Sequence, residues 1–263
     1  MKLHYELSGR GSTSLILIHE LGGSLGSWDE VVANFNDDLR ILRYDLRGAG
    51  ESERASDPFT MEDQSTDLEV LIDETRLPPP YLIVGAAAGA AVAVIYAAHH
   101  PIAVKGLILC APALSVTADR RRYLMERSEL AARDGMRAIV DQTLEQSFPR
   151  LVIHDQARFQ RYRERFLKTD PASYGLANRA LAESTADRWA SAVTCSCLLL
   201  AGTHDTLRPL DHVRVVAASF PNAQVEALDS AHIMSQQAPV ELARRILRFR
   251  DEVILGGRPA EHG

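Results

Sequence analysis

Six apolar runs of strand length punctuate the chain, at residues 14–19, 41–44, 81–84, 106–110, 198–201 and 224–228, and most are continuously rather than alternately apolar. A strand that is buried on both faces has no solvated side to alternate toward, so such runs belong to a parallel sheet covered on both sides. Between them, residues 28–35, 61–75, 89–98 and 210–218 carry apolar positions at helical spacing, the last after a proline at its start. Strands alternating with helices define an α/β class, with a mostly parallel central sheet and helices on both faces.

The alternation breaks between Ala111 and Trp189, where helix-like stretches at 119–134, 136–147, 155–168 and 171–184, rich in Arg and Glu, follow one another without a strand. The expected organisation is a core of residues 1–112 and 190–255, an inserted helical cap over 113–189, and a flexible tail at 256–263. The cap arginines, among them Arg120, Arg121, Arg122, Arg158, Arg161, Arg163 and Arg165, are by default solvated. One or two of them turned inward would meet an anionic substrate.

Charge and cysteine content remove several classes of function. Lys plus Arg is 29 against 35 for Asp plus Glu, a net −6 that leaves no broad basic surface for nucleic acid. The longest apolar run, residues 86–98, contains glycine and falls short of the roughly 20 residues that cross a bilayer, and the N-terminus has no signal-peptide charge pattern. A cytoplasmic protein with a small-molecule substrate and neither nucleic-acid nor membrane partner is expected, and a homodimer is compatible with this. Cys110, Cys195 and Cys197 cannot all pair, and C-x-C is not typical zinc or redox spacing, so they are expected as small buried hydrophobes. No phosphate cradle or nicotinamide fingerprint is visible, since residues 22–26 lack the glycine spacing, and no metal or other cofactor is expected.

Five segments carry chemistry. The first strand ends in His19-Glu20-Leu21-Gly22-Gly23-Ser24, the next in Tyr44-Asp45-Leu46-Arg47-Gly48-Ala49-Gly50-Glu51-Ser52, and the third in Gly85-Ala86-Ala87-Ala88-Gly89. Gly202-Thr203-His204-Asp205-Thr206-Leu207-Arg208-Pro209 and Ser230-Ala231-His232 follow. In this order and at these intervals they resemble the α/β-hydrolase superfamily over nearly the whole chain. The layout is most similar to the branch of 3-oxoadipate enol-lactonases and aminoacrylate hydrolases, down to Phe166-Leu167-Lys168-Thr169-Asp170-Pro171 in the cap. The resemblance implies a sharp strand-to-helix turn centred on Ala87 and flanked by Gly85 and Gly89, with Asp205 orienting His232 as a base. It also implies an oxyanion hole formed by the backbone N–H groups of Leu21 and Ala88. Asp45, Arg47, Gly48 and Gly50 are expected to build a turn in which the arginine holds loop carbonyls. Trp28 either walls the pocket or fills core, and Cys110 is expected to line the pocket, without a charged neighbour that would favour a thiolate.

Two positions depart from the pattern. Ala87 stands where the superfamily has Ser, Cys or Asp, and alanine cannot form a covalent intermediate; Ala86 and Ala88 offer no hydroxyl either. Deleting the nucleophile of a hydrolytic triad costs about 10⁶ in turnover and leaves roughly 10³–10⁴ over water. Glu20 stands where a small residue is usual. It either points to solvent or caps a turn, or it takes a chemical role by polarising water or a substrate hydroxyl.

Four explanations fit Ala87: an engineered inactive variant, a natural site in which His232 and Asp205 activate water directly, non-hydrolytic chemistry such as a lyase or cofactor-free oxygenase, or a binding protein that has lost its chemistry. Survival of both His232 and Asp205 favours an enzyme, because a binder has no evident use for an oriented base. The expected activity is hydrolysis of a small carboxylate-bearing ester, enol-lactone or related acyl compound.

Overall fold

Every residue of β2 (Thr13–Ile18) and β4 (Tyr81–Ala86) is buried, as a strand covered on both faces requires. The computed structural model describes residues 1–36, 38–254 and 256. With β1 (Tyr5–Ser8), β3 (Leu39–Tyr44), β5 (Val104–Cys110), β6 (Ser196–Gly202) and β7 (Ala223–Leu228), these strands form one seven-stranded sheet in the order β1-β3-β2-β4-β5-β6-β7. Only β1 runs antiparallel to its neighbour. Alternate side chains go to opposite faces. Ile16, Ile18, Ile83, Leu107 and Leu109 join a core under α2 (Met61–Thr75), α3 (Ala88–His99) and α8 (Leu210–Ala217). Leu15, Leu17, Leu82, Val84 and Ile108 pack on the other face with α1 (Asp29–Val32), α9 (Met234–Gln237) and α10 (Pro239–Val253).

Four helices run between β5 and β6: α4 (Ala118–Asp134), α5 (Val140–Ser147), α6 (Gln156–Lys168) and α7 (Pro171–Ala182). Their starts are written in the sequence. Thr117, Asp155 and Asp170 accept the backbone N–H of Arg120, Arg158 and Ser173 respectively, and Pro171 occupies the first turn of α7, where its missing N–H is no loss. Thr60 and Asp63 close a reciprocal capping box on α2. Among the described residues, no helix is long and apolar enough to cross a membrane.

The structure adds three elements to the sequence expectation, β1, α9 and α10, and shortens one. β1 is a four-residue edge strand whose side chains are mostly exposed, so it carries no apolar run. α10 does carry a helical signal, with Leu242, Ala243, Ile246 and Phe249 buried on one face. The helix expected over 28–35 is a 3₁₀ turn at Leu25–Trp28 followed by the single turn of α1. Of the expected tail, 256–263, all but Gly256 lies outside the described residues.

The close approach of α3 to β2 depends on Gly89. A Cβ there would lie 2.6 Å from the carbonyl oxygens of both Ile18 and His19, which are backbone atoms that cannot swing aside. Overpacking of this kind costs about 1–3 kcal/mol, so Gly89→Ala should lower Tm by roughly 3–10 °C in calorimetry. An unchanged Tm would mean that α3 does not lie this close to β2.

Candidate active site

β4 turns into α3 through Ala87, whose φ of 48° and ψ of −109° lie in a region that L-residues rarely occupy. Neighbouring groups hold it there. Its N–H donates to the Cys110 carbonyl (2.8 Å), and its own carbonyl accepts from the N–H groups of Ala90 and Ala113 (both 3.1 Å). Gly85 has no room for a side chain either, since a Cβ would lie 2.7 Å from the Gly89 carbonyl oxygen and the Ala90 Cα. Ala88 is the first residue of α3, so its N–H is free of intrahelical bonding and lies at the positive end of the helix dipole.

The loop after β2 is held by His19. The Leu46 N–H donates to His19 Nε2 (2.9 Å), which places the ring hydrogen on Nδ1, where it donates to the Glu20 carbonyl (2.7 Å). Leu21 follows at the cavity wall, and among the described residues its N–H and that of Ala88 donate to no protein acceptor.

On the other side of the site, His232 Nδ1 donates to Asp205 Oδ2 at 2.9 Å, with the carboxylate fully buried and the imidazole 13% exposed. Asp205 Oδ1 accepts the N–H groups of Leu207 (2.8 Å) and Arg208 (3.0 Å), which fix the carboxylate plane. Burial works to raise the Asp205 pKa, but the charge and hydrogen bond of His232 and the two backbone N–H donors outweigh it and hold the carboxyl below its ordinary value. With Nδ1 committed, His232 keeps Nε2 as a basic nitrogen.

Ala87, Ala88, Leu21, Glu20 and His232 share the wall of one cavity of about 70 Å³, which the helices between β5 and β6 close from the opposite side. Three guanidinium-bearing residues line it: Arg120, Arg127 and Arg208. Arg127 is only 4% exposed and bonds neutral hydroxyls, donating to Tyr123 (3.1 Å), Tyr174 (3.0 Å) and Thr143. Burial holds Arg120 and Arg208 below the usual guanidinium range, helped by repulsion from Arg127 at Arg120 and from Arg120 at Arg208; Tyr123 partly offsets this at Arg120 and Asp205 at Arg208. Among the described residues none of the three forms an ion pair with a carboxylate, and the cavity is cationic on this side.

Glu20 does not point to solvent. It is 2% exposed, and its Oε1 accepts from Ser27 Oγ (2.8 Å) and Tyr162 OH (3.0 Å), while Oε2 has no hydrogen-bond partner. Burial, followed by the adjacent Glu20 charge, pushes the Tyr162 phenol well above its ordinary pKa, so it stays a donor.

Several expected residues fall elsewhere. Trp28 and Cys110 do not line this cavity. Both are buried beneath the sheet with Leu15, Val84 and Ile108, because strand parity turns the Cys110 side chain to the face that carries α1. Burial raises the Cys110 thiol to about 12, which makes it inert. Arg47 grips Asp67 through Nε and Nη2 (both 2.8 Å) rather than loop carbonyls, and Asp45 instead receives the N–H groups of Leu25 and Glu51. Of the seven cap arginines named from the sequence, Arg120 alone lines the cavity, whereas Arg122, Arg158, Arg161, Arg163 and Arg165 pair with carboxylates. Arg127 was missed, although its signal was present: Arg120, Tyr123, Leu124 and Arg127 fall on one helical face.

A family model described as the alpha/beta hydrolase fold matches residues 13–239. The chain belongs to the α/β-hydrolase fold family. It is 22% identical over 239 residues to 3-oxoadipate enol-lactonase 2 of Acinetobacter baylyi, covering 90% of this chain and 88% of that protein. It is 26% identical over 260 residues to a putative carbamate hydrolase, RutD, of Caulobacter sp. strain K31, with 94% and 95% coverage. Among solved structures, the enol-lactonase of Burkholderia xenovorans LB400 superposes with a TM-score of 0.88 at 25% identity, over 94% of this chain and 95% of that one. A thermophilic esterase of Thermogutta terrifontis gives the same TM-score at 23% identity, over 95% and 93%. Within this α/β-hydrolase fold, Ala87 marks the crest of the strand-to-helix turn, Asp205 follows β6 and His232 follows β7.

The depressed Asp205 pKa has a consequence for stability. A carboxyl whose folded value lies below its unfolded one contributes stability above about pH 4, and that contribution is lost as pH falls through the folded value. Wild-type Tm should therefore drop more steeply between pH 5 and pH 3 than that of Asp205→Asn. Parallel profiles would show that the folded site does not favour the charged carboxylate.

Proposed function

We propose that the protein is a small-molecule hydrolase that acts on a carboxylate-bearing ester, enol-lactone or related acyl compound by direct attack of water rather than through an acyl-enzyme. The observation that carries this reading is the 2.9 Å hydrogen bond from His232 Nδ1 to the buried Asp205, which leaves Nε2 basic in a cavity whose elbow residue is Ala87. An oriented imidazole that retains its proton acceptor is the group water activation needs, and a positioned base of this kind contributes about 10²–10⁴ in rate.

In this reading His232 Nε2 takes a proton from water as the oxygen attacks the acyl carbon. The N–H groups of Leu21 and Ala88 receive the developing oxyanion, the second reinforced by the N-terminus of α3. Collapse of the tetrahedral intermediate returns the His232 proton to the leaving alkoxide or enolate. The cationic wall formed by Arg120, Arg127 and Arg208 supports a substrate carboxylate, since guanidinium groups match carboxylates in both charge and geometry. Residues 113–189 act as a cap that encloses the substrate over the hydrolase core. Three free cysteines are in keeping with a cytoplasmic location.

The mono-p-nitrophenyl ester of glutarate tests the reading. His232→Ala should lower kcat by about 10²–10⁴. Intact mass spectra taken during turnover should show no acyl adduct. Full activity in His232→Ala, or an acyl adduct on the wild-type chain, would contradict it. Ala87→Ser should introduce a burst of p-nitrophenolate, because base and N–H donors already surround the elbow; a variant without a burst would place His232 out of line with Ala87.

A further inference from the structure

Glu20 is the one buried acid of the cavity wall that the proposed hydrolysis does not use. Asp205 is committed to His232, whereas Glu20 spends only one oxygen on the protein, accepting from Ser27 and Tyr162 at Oε1. Its second oxygen, Oε2, is buried and without a donor. A buried carboxylate oxygen in this state is stabilised by whatever brings it a hydrogen. The position is also fixed. Gly23 crowds the Glu20 side chain so closely that a Cβ there would collide with it, and the His19 bond to the Glu20 carbonyl holds the backbone.

The opposite side of the same cavity has the reverse need. Arg120, Arg127 and Arg208 form no ion pair with a carboxylate among the described residues, and Arg127 is buried against neutral hydroxyls. The cavity wall therefore carries three guanidinium groups without a counter-ion toward the α4 side and, at the loop after β2, Glu20, whose buried Oε2 lacks a partner. A ligand that satisfies both ends carries an anion at one end and a hydrogen-bond donor at the other. With three cations already present against Glu20 and the His232-paired Asp205, a neutral donor suits the site better than an ammonium group.

We propose that Glu20 Oε2 accepts the hydroxyl of a hydroxy acid whose carboxylate is held by the arginines, so that the substrate of this site is a hydroxyl-bearing acid or its acyl derivative. This deepens the proposed hydrolysis and rests on the same cavity being the substrate site. Glu20 acts here as a specificity-determining residue, separating ligands by a single hydroxyl.

Calorimetric titration tests this without turnover, using pairs that differ by one hydroxyl: lactate against propionate, and 3-hydroxyglutarate against glutarate. The wild-type chain should bind the hydroxy acid of at least one pair about tenfold or more tightly, the range expected of a hydrogen bond to a charged group. In Glu20→Gln, which keeps the side-chain shape and removes the charged acceptor, that preference should shrink to about threefold or less. Arg127→Met should weaken both members of the pair alike and leave their ratio unchanged, and Arg208→Met supplies the same comparison if replacing Arg127 disturbs α4. Equal affinities within each pair, no measurable binding of either hydroxy acid, or a preference that survives Glu20→Gln would overturn the proposal. A hydroxyl preference that depends on Glu20, found together with full turnover in His232→Ala, would sustain it while removing the water-activation mechanism.

Discussion

The turn between β4 and α3 is the constraint on which the rest of the site depends. Ala87 occupies a positive φ that is unfavourable for any L-residue by about 1–3 kcal/mol, and it stays there because Cys110, Ala90 and Ala113 bind both of its peptide groups. Gly85 and Gly89 let α3 descend against β2, so that the helix N-terminus opens into the cavity. The loop that begins at His19 then lies beside Ala88, which brings the Leu21 N–H to the same wall. Such strain has an obvious use when the crest residue is a nucleophile. Here it persists around a methyl group, and what it still secures is the placement of the two N–H donors and the open end of the helix.

Charge is distributed around this turn with a clear asymmetry. The histidine side holds Asp205 with both oxygens accepting, from His232, Leu207 and Arg208. The helical side holds Arg127 almost fully buried with only hydroxyl partners. Burial works against the Arg127 charge, but Tyr174 and Tyr123 outweigh it and hold the guanidinium above its ordinary pKa, so the residue stays charged without a carboxylate partner. In the proposed function an anion bound in the cavity supplies the missing counter-charge, an argument that rests on the residues around Ala87 rather than on Ala87 itself.

Much of this was legible in the sequence, for local reasons. The continuous apolar runs identified β2 to β6, since a doubly covered strand has only one way to look, and the residues following β4, β6 and β7 announced Ala87, Asp205 and His232 in the chain order of the fold. What failed depends on parity and on distance. Cys110 sits one residue from facing the other side of the sheet, and the spacing of an apolar run does not reveal which face a given position takes. β1 escaped notice because an exposed edge strand needs no apolar pattern. Tyr162 reaches Glu20 across 142 positions of chain, a contact that no local pattern encodes. Arg127 differs from these: its helical face with Arg120 was readable, but whether that face turns inward is decided by the packing of α4 against α7.

The central claim is that Asp205 holds His232 with its proton on Nδ1 and a free lone pair on Nε2. ¹⁵N NMR of histidine-labelled protein at neutral pH measures this directly. The account predicts that His232 is present as the neutral Nδ1–H tautomer, with an unprotonated Nε2 signal, and that Asp205→Asn shifts it toward a mixture of tautomers. A His232 resonance showing the proton on Nε2 in the wild-type chain would contradict it.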